Sequence, residues 1–86
     1  MEAQLYEVLA DHVAEQSGQL FDEPLSESIG KQTMGQLYLD SLSLMELSIR
    51  LEEELGILLD LNLAAVKPGD RAETLIGLIA ESTRAT

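Results

Sequence analysis

Ser41 stands in the run Leu-Tyr-Leu-Asp-Ser-Leu-Ser-Leu-Met-Glu-Leu (37–47), where a glycine-punctuated stretch gives way to strong helical periodicity. A serine at the mouth of a helix presents its hydroxyl to solvent in the positive end of the macrodipole, a setting that welcomes a phosphate. The same position suits a plain helix cap, and either Asp40 or Ser41 can serve as one. His12 is the single histidine. A Ser-His-acid device could be assembled on paper from Ser41, His12 and any carboxylate. The chain has no nucleophile elbow, however, and nothing in the sequence brings His12 near Ser41. His12 reads as a half-exposed residue of the first helix. The acids lack the calcium-loop pattern, Glu52-Glu53-Glu54 reads as a solvated face, and no glycine motif cradles a phosphate. No complete catalytic constellation is present, so the chain is not expected to be an enzyme.

The elements that must position Ser41 follow from hydrophobic spacing. Leu5, Val8, Leu9 and Val13 predict a first helix over 2–16, stopped by Ser17-Gly18. Residues 17–40 have no clean period and read as a long loop packed by its own Leu20, Phe21, Leu25, Ile29, Met34, Leu37 and Leu39, with a helical turn near 33–37. A second helix spans 41–55 and ends at Gly56. Ile57-Leu58-Leu59 reads as a buried connector and 61–66 as a short third helix. Asp70 and Glu73 form a capping box for a last helix over 70–82. The expectation is an all-α fold, a four-helix bundle in one domain over 1–86, with a long first loop and a short third helix.

The second helix carries two apolar stripes. At about 100° per residue, Leu44, Leu47, Leu51 and Leu55 cluster on one side and Leu42, Met45 and Ile49 on the other. The first stripe belongs in the core. Either the loop or the short helix covers the second, or that stripe is a docking patch of apolar anchors fringed by Glu46, Glu52 and Glu53. Met45 would suit such a patch because its side chain adapts to different partners.

Composition bounds the alternatives. Sixteen acids against five bases leave a formal net charge of −11, which repels nucleic acid and anionic membrane and favours basic protein partners. With no cysteine there are no disulfides or thiolate metal sites. No apolar run approaches the roughly 18 residues of a membrane span, and the acidic N-terminus is unlike a signal peptide, so a cytoplasmic monomer is expected. Aliphatic residues must build the core, because Tyr6, Phe21 and Tyr38 are the only aromatics.

Residues 39–57 closely resemble the prosthetic-group region of acyl carrier proteins. The resemblance rests on Asp40-Ser41-Leu42, Glu46-Leu47, Leu51-Glu52-Glu53 and Gly56-Ile57. It implies an acyl-carrier-like fold with Ser41 as the attachment point for 4′-phosphopantetheine, taken from coenzyme A by a separate, magnesium-using phosphopantetheinyl transferase. Asp40 would contact the transferase and its metal. Leu42, Met45, Glu46 and Ile49, with Glu53 on the rim, fall where carriers meet their partners. Those partners would be an acyltransferase or acyl-activating enzyme, a ketosynthase and tailoring enzymes. Tyr38 stands where many carriers have glycine, and Leu58-Leu59-Asp60 replaces the proline-containing continuation of the fatty-acid carriers. The Ser43-Leu44-Met45-Glu46 segment looks most like free-standing carriers of polyketide biosynthesis. Peptidyl or aminoacyl carriers of nonribosomal synthesis and the housekeeping fatty-acid carrier are the alternatives. An acidic helical adaptor with Ser41 as a simple cap is the reading from another class.

Overall fold

Leu5, Val8, Leu9, His12 and Val13 recur at helical spacing and all are buried, so residues Glu2–Ser17 form one amphipathic helix, α1. Gly18 closes it at φ +76°, its amide bonded to the Ala14 carbonyl at 2.9 Å. The computed structural model describes residues 2–59 and 66–84, and these are mostly helical: α2 spans Leu25–Ser28, α3 Ser41–Leu55 and α4 Ala72–Arg84. The described residues contain no strand, only an isolated bridge between Thr33 and Arg71. The fold is therefore all-α. The short helix expected over 61–66 lies, apart from Val66, outside the described residues.

α1 is the central element and packs on α2, α3 and α4. Leu5, Leu9 and Val13 from α1 meet Leu44, Leu47 and Leu51 from α3 and Leu75, Ile76 and Ile79 from α4 in one aliphatic core, each at most 1% exposed. Removing such side chains from water is the main favourable contribution to folding in a chain this small.

The long connection is built more tightly than its sequence suggests. Ile29, Met34, Leu37 and Leu39 are buried in the core, whereas Leu20 points into solvent at 87% exposure, contrary to the packing expected of it. A Cβ at Gly30 would collide with the Ser26 carbonyl oxygen and crowd the Tyr6 hydroxyl, so the chain can pass there only as glycine. Beyond it the loop is stitched to the chain leading into α4. Met34 N–H donates to the Asp70 carbonyl (2.9 Å) and Gly35 N–H to that of Pro68 (3.0 Å). In the other direction, Ala72 N–H donates to the Gln32 carbonyl (2.8 Å) and Glu73 N–H to that of Gly30 (3.0 Å).

These last two bonds displace the expected capping box. The first amides of α4 are satisfied by loop carbonyls, so the helix begins at Ala72 rather than at 70. The Asp70 carboxylate instead accepts from Lys67 N–H at 3.1 Å, and Glu73 faces Lys31 at 3.4 Å. The connector after Gly56 also differs from expectation. Ile57 and Leu59 are partly buried against the core, but Leu58 is exposed. That in-out-in alternation is what an extended segment lying on the core produces.

Candidate functional site

The start of α3 is fixed by a cap and by ties to α1. Asp40 is the N-cap: its Oδ1 accepts from Ser43 N–H at 2.8 Å, and its carbonyl accepts from Leu44 N–H at 2.9 Å. The Ser43 side chain turns inward, 3% exposed, and its hydroxyl donates to Gln16 Oε1 of α1 at 2.6 Å. His12 Nε2–H then donates to the Ser43 carbonyl oxygen and shares the hydroxyl oxygen, each at 3.1 Å. Since the Ser43 proton is engaged by Gln16, Nε2 is the protonated nitrogen.

Ser41 follows from this arrangement. Two residues before Ser43 correspond to about 200° around the helix, so an inward Ser43 places Ser41 on the solvent side. Ser41 is indeed exposed, at the first helical position, and its hydroxyl bonds to no other described residue. Asp40 has taken the capping role, and the amides of Ser41 and Leu42 find no acceptor among the described residues. An exposed hydroxyl beside open amides at a helix N-terminus is a chemically permissive place for a phosphate ester.

His12 corrects the reading from sequence. It is buried rather than half-exposed, because it continues the inward stripe of Leu5 and Leu9 on α1. Seven residues after Leu5, it falls on the core face by helical spacing, a signal its polarity had masked. Burial pushes its pKa below the ordinary 6.5, and Arg50 pushes the same way. The Ser43 hydrogen bond and the carboxylates of Glu46 and Glu15 oppose that shift. His12 contacts Ser43 and has no described contact with Ser41, so the paper hydrolase has no geometry behind it.

The remaining residues singled out from sequence share one face. Asp40, Leu42, Met45, Glu46, Ile49 and Glu53 are all exposed. Leu42, Met45 and Ile49 show 67%, 56% and 54% of their surface, so nothing among the described residues folds over the second stripe. A shallow groove of about 620 Å³ brings Asp40, Leu42 and Glu46 together with Tyr38 and the end of α1. A second, of about 380 Å³, joins Glu46, Ile49 and Glu53 to His12 and Arg50, and Met45 lines neither. Arg50 spans the two helices by pairing with Glu15 of α1 and with Glu54 at 3.1 Å.

Tyr38 is the residue sequence reasoning undervalued. The turn at 33–37 ends with Leu39 N–H donating to the Met34 carbonyl (2.9 Å) and Tyr38 N–H to the Gly35 carbonyl (3.2 Å). This is a Schellman closure with buried Leu39 and Met34 as its apolar pair. It puts Tyr38 at φ +57°, the left-handed region that glycine fills without strain and other residues enter at roughly 1–2 kcal/mol. No family model, curated protein or solved structure matches the chain.

Proposed function

We propose that this chain is an acyl carrier protein, with Ser41 as the residue esterified by 4′-phosphopantetheine from coenzyme A. The observation that carries the reading is the division of labour at the helix mouth. Asp40 caps α3, Ser43 is tied inward to His12 and Gln16, and Ser41 is left exposed with an unengaged hydroxyl. Once attached, the group would supply a thiol on a long arm, able to hold acyl groups as thioesters. Ser41 would hold it by its phosphate, beside the open amides of Ser41 and Leu42.

The chain itself performs no chemistry in this account. A phosphopantetheinyl transferase activates Ser41, with Asp40 at the transferase–metal contact, and later enzymes load and extend the cargo. Leu42, Met45 and Ile49 offer apolar anchors, and Glu46 and Glu53 offer charge to basic partners. The resemblance of Ser43-Leu44-Met45-Glu46 favours a free-standing carrier of polyketide type, working in the cytoplasm as a monomer. The acidic-adaptor reading is favoured by the exposed stripe alone, since docking needs no serine chemistry.

Intact mass after incubation with coenzyme A, magnesium and a broad-specificity transferase separates them. The carrier gains the mass of one phosphopantetheine, and Ser41→Ala gains none while keeping its helicity. An unmodified wild-type chain favours the adaptor.

A further inference from the structure

We infer that Tyr38 is a contact residue for the enzyme that modifies Ser41, its ring extending the docking surface from α3 across the helix mouth onto the preceding turn. The inference rests on the carrier reading. Three features of Tyr38 lead to it. Its backbone is in the left-handed region, at the C′ position of a Schellman closure where glycine is the unstrained choice. Its side chain takes no place in the core in return, being 68% exposed with no hydrogen bond to another described residue. Finally, its neighbours Leu37 and Leu39 are both buried, so the turn holds the ring outward between two anchored residues.

The placement is specific. Tyr38 lines the groove that also holds Asp40, Leu42 and Glu46, and it also lines a depression with Gly35 and Pro68. Tyr38 thus borders two hollows that both reach Asp40, the residue next to Ser41. An exposed aromatic beside the reacting group is the kind of side chain that anchors an interface, because it brings large contact area with only two side-chain torsions to order. The occupant is the transferase, since the enzyme that forms the ester must approach this serine. Its matching surface would be an apolar cleft for the ring beside basic groups for Asp40 and Glu46.

A structural role and a contact role for Tyr38 predict opposite results. Tyr38→Gly and Tyr38→Asn both suit a positive φ and should leave the thermal midpoint unchanged or raise it. Loading kinetics with a broad-specificity phosphopantetheinyl transferase and coenzyme A should nevertheless show kcat/KM lowered about tenfold for both, chiefly through KM. Tyr38→Phe, which keeps the ring, should load within about twofold of wild type on the same scale. Wild-type rates for the Gly and Asn variants overturn the inference and leave the carrier reading intact. A loss in Tyr38→Phe equal to theirs also overturns it, because the hydroxyl and not the ring would then carry the effect. Failure of the wild-type chain to load at all overturns the carrier reading, and this inference with it.

Discussion

Asp40 has one observed role and one proposed role, and substitution separates them. As N-cap it holds the first turn of α3 through Ser43 N–H, and as a carboxylate it would meet the transferase–metal site. Asparagine caps about as well as aspartate, whereas alanine forfeits about 1 kcal/mol. Chemical denaturation should therefore show Asp40→Ala destabilised by about that amount and Asp40→Asn near wild type. Both should load poorly if the charge is needed, and normal loading of Asp40→Asn would remove Asp40 from the proposed contact. His12 makes a prediction in pH. Its folded pKa is depressed, so below the ordinary 6.5 the unfolded chain takes up the proton first and stability falls with falling pH. Carboxylate titration acts on any variant, so the informative quantity is the stability gap between wild type and His12→Gln. That gap should narrow between about pH 8 and pH 5.5. A constant gap would contradict a buried neutral His12. A cap at 40–41 was legible in sequence because capping chemistry depends on near neighbours, and the structure assigns it to Asp40 rather than Ser41. The inward turn of His12 and the left-handed Tyr38 were not, since both depend on partners that only tertiary packing supplies, Ser43 for one and the Met34–Leu39 closure for the other.

α3 is the element on which core and surface meet. Its period placed Leu44, Leu47 and Leu51 inside and Leu42, Met45 and Ile49 elsewhere on the cylinder, and the described residues leave the second set uncovered. Met45→Glu and Glu46→Lys alter that exposed face without touching the core, so helicity by circular dichroism should stay near normal, within about 0.5 kcal/mol of stability. Loading by partner enzymes should slow by about tenfold in each. Wild-type rates in both would mean that partners dock elsewhere. α1 and α3 were readable as elements because long amphipathic periods dominate local alternatives. The start of α4 was misread for a physical reason: Asp70 and Glu73 have the spacing of a capping box, but the loop carbonyls of Gly30 and Gln32 reach the helix amides first. The same tertiary stitching ordered 29–39, a stretch without sequence period. α2, a single turn at Leu25–Ser28, gives no periodicity to detect.

A net charge of −11 on 86 residues acts on the whole molecule in two opposing ways. Self-repulsion weakens the folded state, while the same field would draw in basic partners. Added salt shortens the screening length from about 30 Å at 0.01 M to about 10 Å at 0.1 M. Thermal midpoints should therefore rise with salt while transferase kcat/KM falls, and loading that ignores salt would contradict electrostatic docking. The all-α class was visible in composition and period, and the aliphatic core in the shortage of aromatics. The central claim concerns one atom, the Ser41 hydroxyl oxygen, and can be read directly. Cleavage after Lys31 and Arg50 releases a peptide of residues 32–50 that contains Ser41, Ser43 and Ser48. After treatment with coenzyme A and transferase, fragmentation of that peptide should place a single phosphopantetheine on Ser41. An adduct on Ser43 or Ser48, or none at all, would contradict the account.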